Sequence, residues 1–134
     1  MPGHDAYGKE VMRLAAGNRY SGAGPSTRTD FGGQIDGTVA GLVAVEIETR
    51  TAKQVRGAIL DLITHPYPKK LLVSIPKYHH PVSGPEQFRA ILGRFIDSAD
   101  FRVVGLAGDG DFPEMVHDSG VVQDALSELL GSGR

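Results

Sequence analysis

The strongest constraint on the fold is an alternation of helical and strand patterns after residue 48. In three segments, apolar residues recur at helical spacing, and two short apolar runs typical of buried strands stand between them. Strands that are joined by helices usually pair in parallel and are covered on both faces. The segments are, in order, TRTAKQVRGAILDLITHP, KKLLVSIP, GPEQFRAILGRFIDSA, FRVVGLAG and SGVVQDALSELLG.

The first part of the chain predicts one helix and a meander of three strands. HDAYGKEVMRLAAG has the spacing of an amphipathic helix that ends at Gly17. The Gly, Ser and Pro-rich stretch NRYSGAGPSTRTD follows, and it is either a mobile loop that closes over a ligand or a long connector. Strand cores are predicted at 28–32, 34–39 and 41–49, with a tight hairpin at Ala40-Gly41. The whole order predicts an α/β fold, a mixed β-sheet flanked by helices.

Composition limits the class of protein. A length of 134 residues with 40% hydrophobic and 22% charged residues predicts one domain over residues 1–134. The chain has no cysteine, which excludes disulfides, cysteine zinc sites and thiol nucleophiles. No apolar run approaches the roughly 20 residues that span a bilayer. We therefore expect a soluble, cytoplasmic protein with no membrane partner.

Charge is distributed unevenly along the chain. Residues 1–80 carry ten Lys or Arg against seven Asp or Glu, whereas residues 81–134 carry four against nine. A basic part opposite an acidic one is typical of a protein that faces phosphate on one side, although mixed charge on an ordinary surface gives the same count. The net charge of −2 therefore does not exclude a nucleic-acid partner.

Three carboxylates are predicted to converge at one end of the sheet. Asp36 lies on one strand of the hairpin, and Glu46 and Glu48, two residues apart, leave the same face of the next strand. Carboxylates held this close repel one another unless a hard divalent cation binds them. Mg²⁺ or Mn²⁺ is the expected cofactor. The alternative is an exposed strand face that carries two glutamates, with Asp36 at the start of a turn.

The run QIDG, nine residues and then VEIE, followed by a helix, resembles the PD-(D/E)xK nuclease superfamily. This superfamily includes restriction endonucleases, Holliday-junction resolvases and repair nucleases. Its core of a helix, three strands, a helix and a strand matches the predicted order over residues 5–76. The resemblance implies a restriction-endonuclease-like core with an added helix, strand and helix. It also implies a Mg²⁺-dependent endonuclease, either restriction-type or structure-selective, that hydrolyses phosphodiester bonds of DNA as a homodimer.

The same resemblance implies roles for individual residues. Asp36 and Glu46 match the two acidic metal ligands, whereas Glu48 stands where the family usually has a lysine. Glu48 would act as a general base or as a further metal ligand, and Lys53 or Arg50 would supply the missing positive charge from the start of the following helix. Glu10, on the first helix, would bind metal through water or is an exposed helical glutamate.

Basic and polar residues near the motif are candidates for contact with DNA. Arg50, Gln54 and Arg56, which follow the third strand, would orient phosphate. Lys77 and His79 would contact phosphate or bases or form a polar loop. The rival function is a nucleic-acid-binding module of the same fold that has lost catalysis with its lysine. A weaker alternative is an α/β protein that binds a small ligand or a partner and no nucleic acid. The candidates are Arg28, Arg50, Gln54, Arg56, Lys77 and His79.

Overall fold

The computed structural model describes residues 4–30, 32–49, 56–76 and 83–131 of the chain. Within them, four α-helices flank one five-stranded sheet. The helices and strands are, in chain order, α1 His4–Ala16, β1 Tyr20–Ser21, β2 Gly37–Val39, β3 Val43–Glu48, α2 Arg56–Thr64, β4 Lys69–Ser74, α3 Ser83–Leu92, β5 Phe101–Gly105 and α4 Met115–Leu129.

The sheet is mixed, as the sequence predicts. Its strands lie in the order β1-β2-β3-β4-β5. The pairs β1-β2 and β2-β3 are antiparallel, and the pairs β3-β4 and β4-β5 are parallel. The change from antiparallel to parallel occurs at β3, because a short turn precedes this strand and a helix follows it. The predicted order of helix, three strands, helix, strand, helix, strand and helix is confirmed.

Each face of the sheet is covered by two helices. Val43, Val45 and Ile47 pack with α1 and α4, and we call this the α1/α4 face. Ala44 packs with α2 and α3 on the other side, the α2/α3 face. Because side chains alternate along a strand, Glu46 and Glu48 also lie on the α2/α3 face. Both are buried, at 6% and 4% exposure.

The α2/α3 face also holds a buried lysine. Lys70 pairs with Ala44 in the register of β3 and β4, so the two side chains share this face. Its Nζ donates a hydrogen bond to the carbonyl oxygen of His65 over 2.5 Å. Burial lowers the pKa of Lys70 to about 8. Its neighbour Lys69 is directed away and forms a 2.7 Å ion pair with Asp100.

Turns lie where the sequence indicates them. Gly17 follows α1 with a φ of +60°, a conformation that is accessible to glycine at little cost. Ala40 and Gly41 have φ values of 56° and 65°, and the Leu42 amide donates to the Val39 carbonyl over 3.0 Å. Two positive φ values are typical of the type I′ turn, whose twist matches that of paired strands. The predicted hairpin is therefore confirmed.

Several element boundaries differ from the prediction, and the second strand is Gly37–Val39 rather than 34–39. The first strand is Tyr20–Ser21 rather than 28–32, where the described residues contain only an isolated bridge between Arg28 and Gln34. A strand of two residues has no period that a sequence pattern can reveal, so the segment read as a loop or connector in fact supplies the edge of the sheet.

The last two helices also differ at their ends. The third helix, predicted to reach residue 99, ends at Leu92, because Gly93 follows it and turns replace the helix. The fourth helix, predicted from Ser119, begins at Met115. The buried polar residue Asp118 lies in its first turn and interrupts the apolar stripe that would have marked this turn. No helix in the described ranges is both long and apolar enough to cross a membrane.

Candidate active site

Asp36 is fixed across the ladder of β2 and β3. Its amide donates to the Val45 carbonyl over 3.0 Å, and its Oδ2 accepts a 2.7 Å hydrogen bond from the amide of Ile47. The Tyr20 hydroxyl donates to the Asp36 carbonyl over 3.2 Å. A Cβ at Gly37 would overlap the Tyr20 ring, so the glycine after the aspartate lets β1 approach. The local sequence therefore holds the Asp36 carboxylate in one place.

Glu46 lies directly opposite Asp36 in this ladder. Its Oε1 accepts a 3.2 Å hydrogen bond from the Asp36 amide, and the two carboxyl groups also interact. Burial, and then the hydrogen bond and negative charge of Asp36, raise the pKa of Glu46 to about 10. A buried acid beside a half-buried one favours either a shared proton or a bound cation.

Asp61 on α2 is a third acid at this site, and the sequence reading missed it. Burial and the charge of Asp36 raise the pKa of Asp61. A Cβ at Gly33 would overlap the Asp61 carboxylate, so the chain before β2 approaches this side chain closely. The sequence did hold a signal, because Asp61 falls on the buried stripe of α2, three residues after Ala58 and one before Leu62.

The three acids open onto one cavity of about 410 Å³ on the α2/α3 face. Its walls come from the segment before β2, from the end of β3 and from α2, so elements distant in sequence build it. The lining is mainly polar. The residues that line it are Gln34, Asp36, Glu46, Ile47, Glu48, Thr49, Gly57, Ala58 and Asp61.

Glu48 also lines this cavity, and it lies two residues beyond Glu46 on the same face of β3. Its Oε2 accepts a 3.1 Å hydrogen bond from the amide of Thr49. Glu48 occupies the position where the resemblance leads one to expect a lysine. Among the described residues that line the cavity, none is Lys or Arg.

The other predicted site residues lie apart from this cavity or outside the described residues. Glu10 is on α1, which packs on the opposite face of the sheet, and its carboxylate forms a 3.2 Å ion pair with Arg13. Arg28 is exposed and is bridged to Gln34, which lines the cavity. Arg56 belongs to α2, but its side chain is outside the described set. Arg50, Lys53, Gln54, Lys77 and His79 lie outside the described residues.

The donor set suits a hard divalent cation that keeps part of its water shell. Asp36 and Glu46 provide two adjacent carboxylates, and Mg²⁺ commonly binds through one or two protein carboxylates. In the described part of the chain, no three His, Asp or Glu side chains already surround a single point that would hold an ion. The pair Asp36 and Glu46 is thus the part of the predicted trio that the structure brings into contact.

Comparison of the chain with protein-family models, with curated proteins and with solved structures gave no match.

Proposed function

We propose that this protein is a metal-dependent endonuclease that hydrolyses phosphodiester bonds of DNA, with a core of the restriction-endonuclease type. The observed order of α1, three antiparallel strands, α2 and the parallel strand β4 supports this proposal, because it is the order of the core of the PD-(D/E)xK superfamily. The additional β5 extends the sheet at the edge away from the acids, and the additional α3 and α4 pack on its two faces.

The proposal depends above all on the contact between Asp36 and Glu46. These residues are ten apart in sequence, meet across the β2-β3 ladder and open onto a polar cavity. A buried carboxylate, that of Glu46, beside the half-buried carboxylate of Asp36 is unfavourable for folding alone. A site that binds a cation and a phosphate oxygen accounts for it.

Each acid has a proposed role. Asp36 and Glu46 bind Mg²⁺ or Mn²⁺, and the ion, when bound, polarises the phosphodiester and lowers the pKa of the attacking water. Glu48 accepts the proton of that water or serves as an additional ligand. Asp61 faces the same cavity and holds a water or a second ligand position. Lys53, together with Arg28, Arg50, Gln54 and Arg56, neutralises and orients the phosphates.

A second candidate is a DNA-binding module that does not cleave. The observation that favours it is the lack of Lys and Arg among the described residues lining the cavity, since phosphoryl transfer relies on positive charge near the phosphate. In this case the acids would bind a cation that bridges to DNA, and Glu48 would mark the loss of the reaction.

Incubation with supercoiled and branched DNA separates the two candidates. We expect the wild type with Mg²⁺ or Mn²⁺ to nick or linearise DNA, and Asp36→Ala to lower the rate by about a thousandfold or more. Asp124→Ala, an exposed acid on α4, is the matched control and should cleave at the wild-type rate. Salt-sensitive DNA binding with no cleavage in either metal would support the binding module and exclude the nuclease.

A homodimer is part of the proposal for duplex substrates, because cleavage of both strands requires two acidic sites. Light scattering at the protein concentration of the cleavage assay tests it. A dimer is expected, and a monomer that nicks only one strand would restrict the proposal to single-strand cleavage.

A further inference from the structure

A second cavity of about 660 Å³ adjoins the acidic one. It lies between α2 and the segment that precedes β2, and it shares Asp61 with the acidic cavity. A ligand that spans both cavities would therefore pass over Asp61. The residues that line the second cavity are Thr29, Gly32, Gly33, Leu60, Asp61 and Thr64.

The two cavities differ in chemistry. The acidic cavity is mostly polar, whereas the second has a mostly apolar lining in which Asp61 is the one charged side chain among the six residues. Leu60 is 59% exposed although it is a large apolar side chain. The second cavity therefore suits an uncharged group with apolar surface rather than a phosphate.

Small residues and hydroxyl groups shape its walls. Gly32 has a φ of +89° and a Cβ there would meet nothing within 4 Å, so this side of the cavity is bare backbone. The Thr29 Oγ1 accepts a 2.9 Å hydrogen bond from the Gly33 amide. The Thr64 hydroxyl donates to the Leu60 carbonyl over 2.8 Å and has lone pairs for a ligand. A flat ring with polar edges fits walls of this kind.

We propose that the second cavity binds the nucleobase of a nucleotide adjacent to the phosphate held at the acidic cavity. This inference rests on the proposed function and specifies its substrate as a DNA strand with an unpaired base at that position. In an intact duplex the base is stacked and paired, and moving it into a protein cavity requires it to leave the stack. The cavity thus favours structure-selective cleavage over restriction of a fully paired site.

The position of Arg28 supports the proposed path of the DNA strand along the two cavities. It is exposed and forms an antiparallel bridge with Gln34, which lines the acidic cavity, while the next residue, Thr29, lines the second cavity. Paired residues in an antiparallel bridge project their side chains to the same side. Arg28 therefore lies where it can pair with a neighbouring phosphate of a strand whose base occupies the second cavity.

An NMR titration with thymidine tests this subsite without any need for cleavage. We expect thymidine to shift the amide signals of Gly32 and Thr64, and ribose at the same concentration to leave them unchanged. Leu60→Glu should weaken the thymidine affinity about tenfold, because it replaces the apolar wall with a charge. Leu14→Glu is the matched control, since Leu14 is 51% exposed on α1, and it should bind thymidine as the wild type does.

The outcomes separate this inference from the proposed function. If thymidine leaves Gly32 and Thr64 unchanged, or if Leu60→Glu binds it as tightly as Leu14→Glu does, the base subsite is wrong even in a protein that cleaves DNA. If thymidine binds as expected but no DNA is cleaved, the subsite stands and the nuclease proposal fails.

Discussion

Two buried acids on opposite sides of the sheet have different surroundings. Asp118 on α4 is fully buried and accepts hydrogen bonds from the Tyr7 hydroxyl over 2.6 Å and from the amides of Ala107 and Gly108 over 2.7 and 3.0 Å. Burial and the hydrogen bond to Asp118 raise the pKa of Tyr7 to about 12, so the hydroxyl keeps its proton and continues to donate.

Glu46 on the α2/α3 face has a much poorer set of partners. It accepts from the amide of Asp36, and its nearest charged neighbour is a second carboxylate. The comparison shows that burial alone does not identify a functional acid. An acid with several donors stabilises the fold, whereas an acid buried beside another acid indicates a site that is completed by a proton or a cation.

The largest expected effect on stability is at Asp118. Asp118→Ala removes the acceptor of three hydrogen bonds and leaves a hydroxyl and two amides unpaired next to a buried cluster. We expect the free energy of unfolding to fall by about 3 kcal/mol, measured by urea denaturation. Asp124→Ala, exposed on the same helix, should change it by less than about 0.5 kcal/mol. Equal losses in the two variants would contradict the structural role of Asp118.

Glu46→Gln should raise the free energy of unfolding at alkaline pH when divalent metal is removed, whereas Asp118→Ala lowers it. The pKa of Glu46 is raised from its ordinary value to about 10, so the folded protein holds this proton more tightly than the unfolded chain does. The stability that the group contributes is complete below about pH 4.5 and decreases as the pH rises toward 10. The slope is at most about 1.4 kcal/mol per pH unit.

Removal of the titrating group should therefore make the variant more stable than the wild type at pH 8 in EDTA, by about 1 to 2 kcal/mol. The difference should shrink at pH 5, and urea unfolding at the two pH values measures it. Asp124→Asn should show no such pH dependence. A Glu46→Gln variant that is less stable than the wild type at pH 8 would mean that Glu46 has its own donors, as Asp118 has.

Effects of the same size or smaller are expected at two glycines, Gly33 of the second cavity and Gly57 of the acidic cavity. Gly33→Ala would force a methyl group against Asp61, so we expect a loss of about 1 to 2 kcal/mol. Gly57, on α2, has nothing within 4 Å of its Cβ position, and Gly57→Ala should stabilise the helix by about 0.5 to 1 kcal/mol. Thermal unfolding of both variants checks this pair. A Gly33→Ala variant that is as stable as the wild type would show that the contact between Gly33 and Asp61 is not tight.

The sequence predicted the elements that have a clear period and failed on those that do not. The stripe of α1 and the apolar runs of β3 and β4 are long enough to identify, and their order determined the mixed sheet. β1 was missed because two residues carry no period and the strand is defined by its pairing with β2. Such pairing is tertiary information, and no local pattern contains it.

The candidate site was predicted in part, for a similar reason. Asp36 and Glu46 were identified from their spacing, and the ladder of β2 and β3 brings them into contact. Asp61 was not identified, because its approach to Asp36 depends on how α2 packs over the sheet. Its place on a buried helical stripe was the available signal. Glu10 was predicted either to bind metal through water or to be an exposed helical glutamate, and it lies exposed on α1, which packs on the α1/α4 face.

Localisation of a bound ion is the most direct test of the central claim, that Asp36 and Glu46 form a divalent cation site. Substoichiometric Mn²⁺, which broadens nearby NMR signals, should first broaden the amides of Ile47 and Ala58, which line the acidic cavity. Asp36→Asn should abolish this pattern. Broadening that begins elsewhere, such as at the loop of Asp109, or that is unchanged in Asp36→Asn, would contradict the claim.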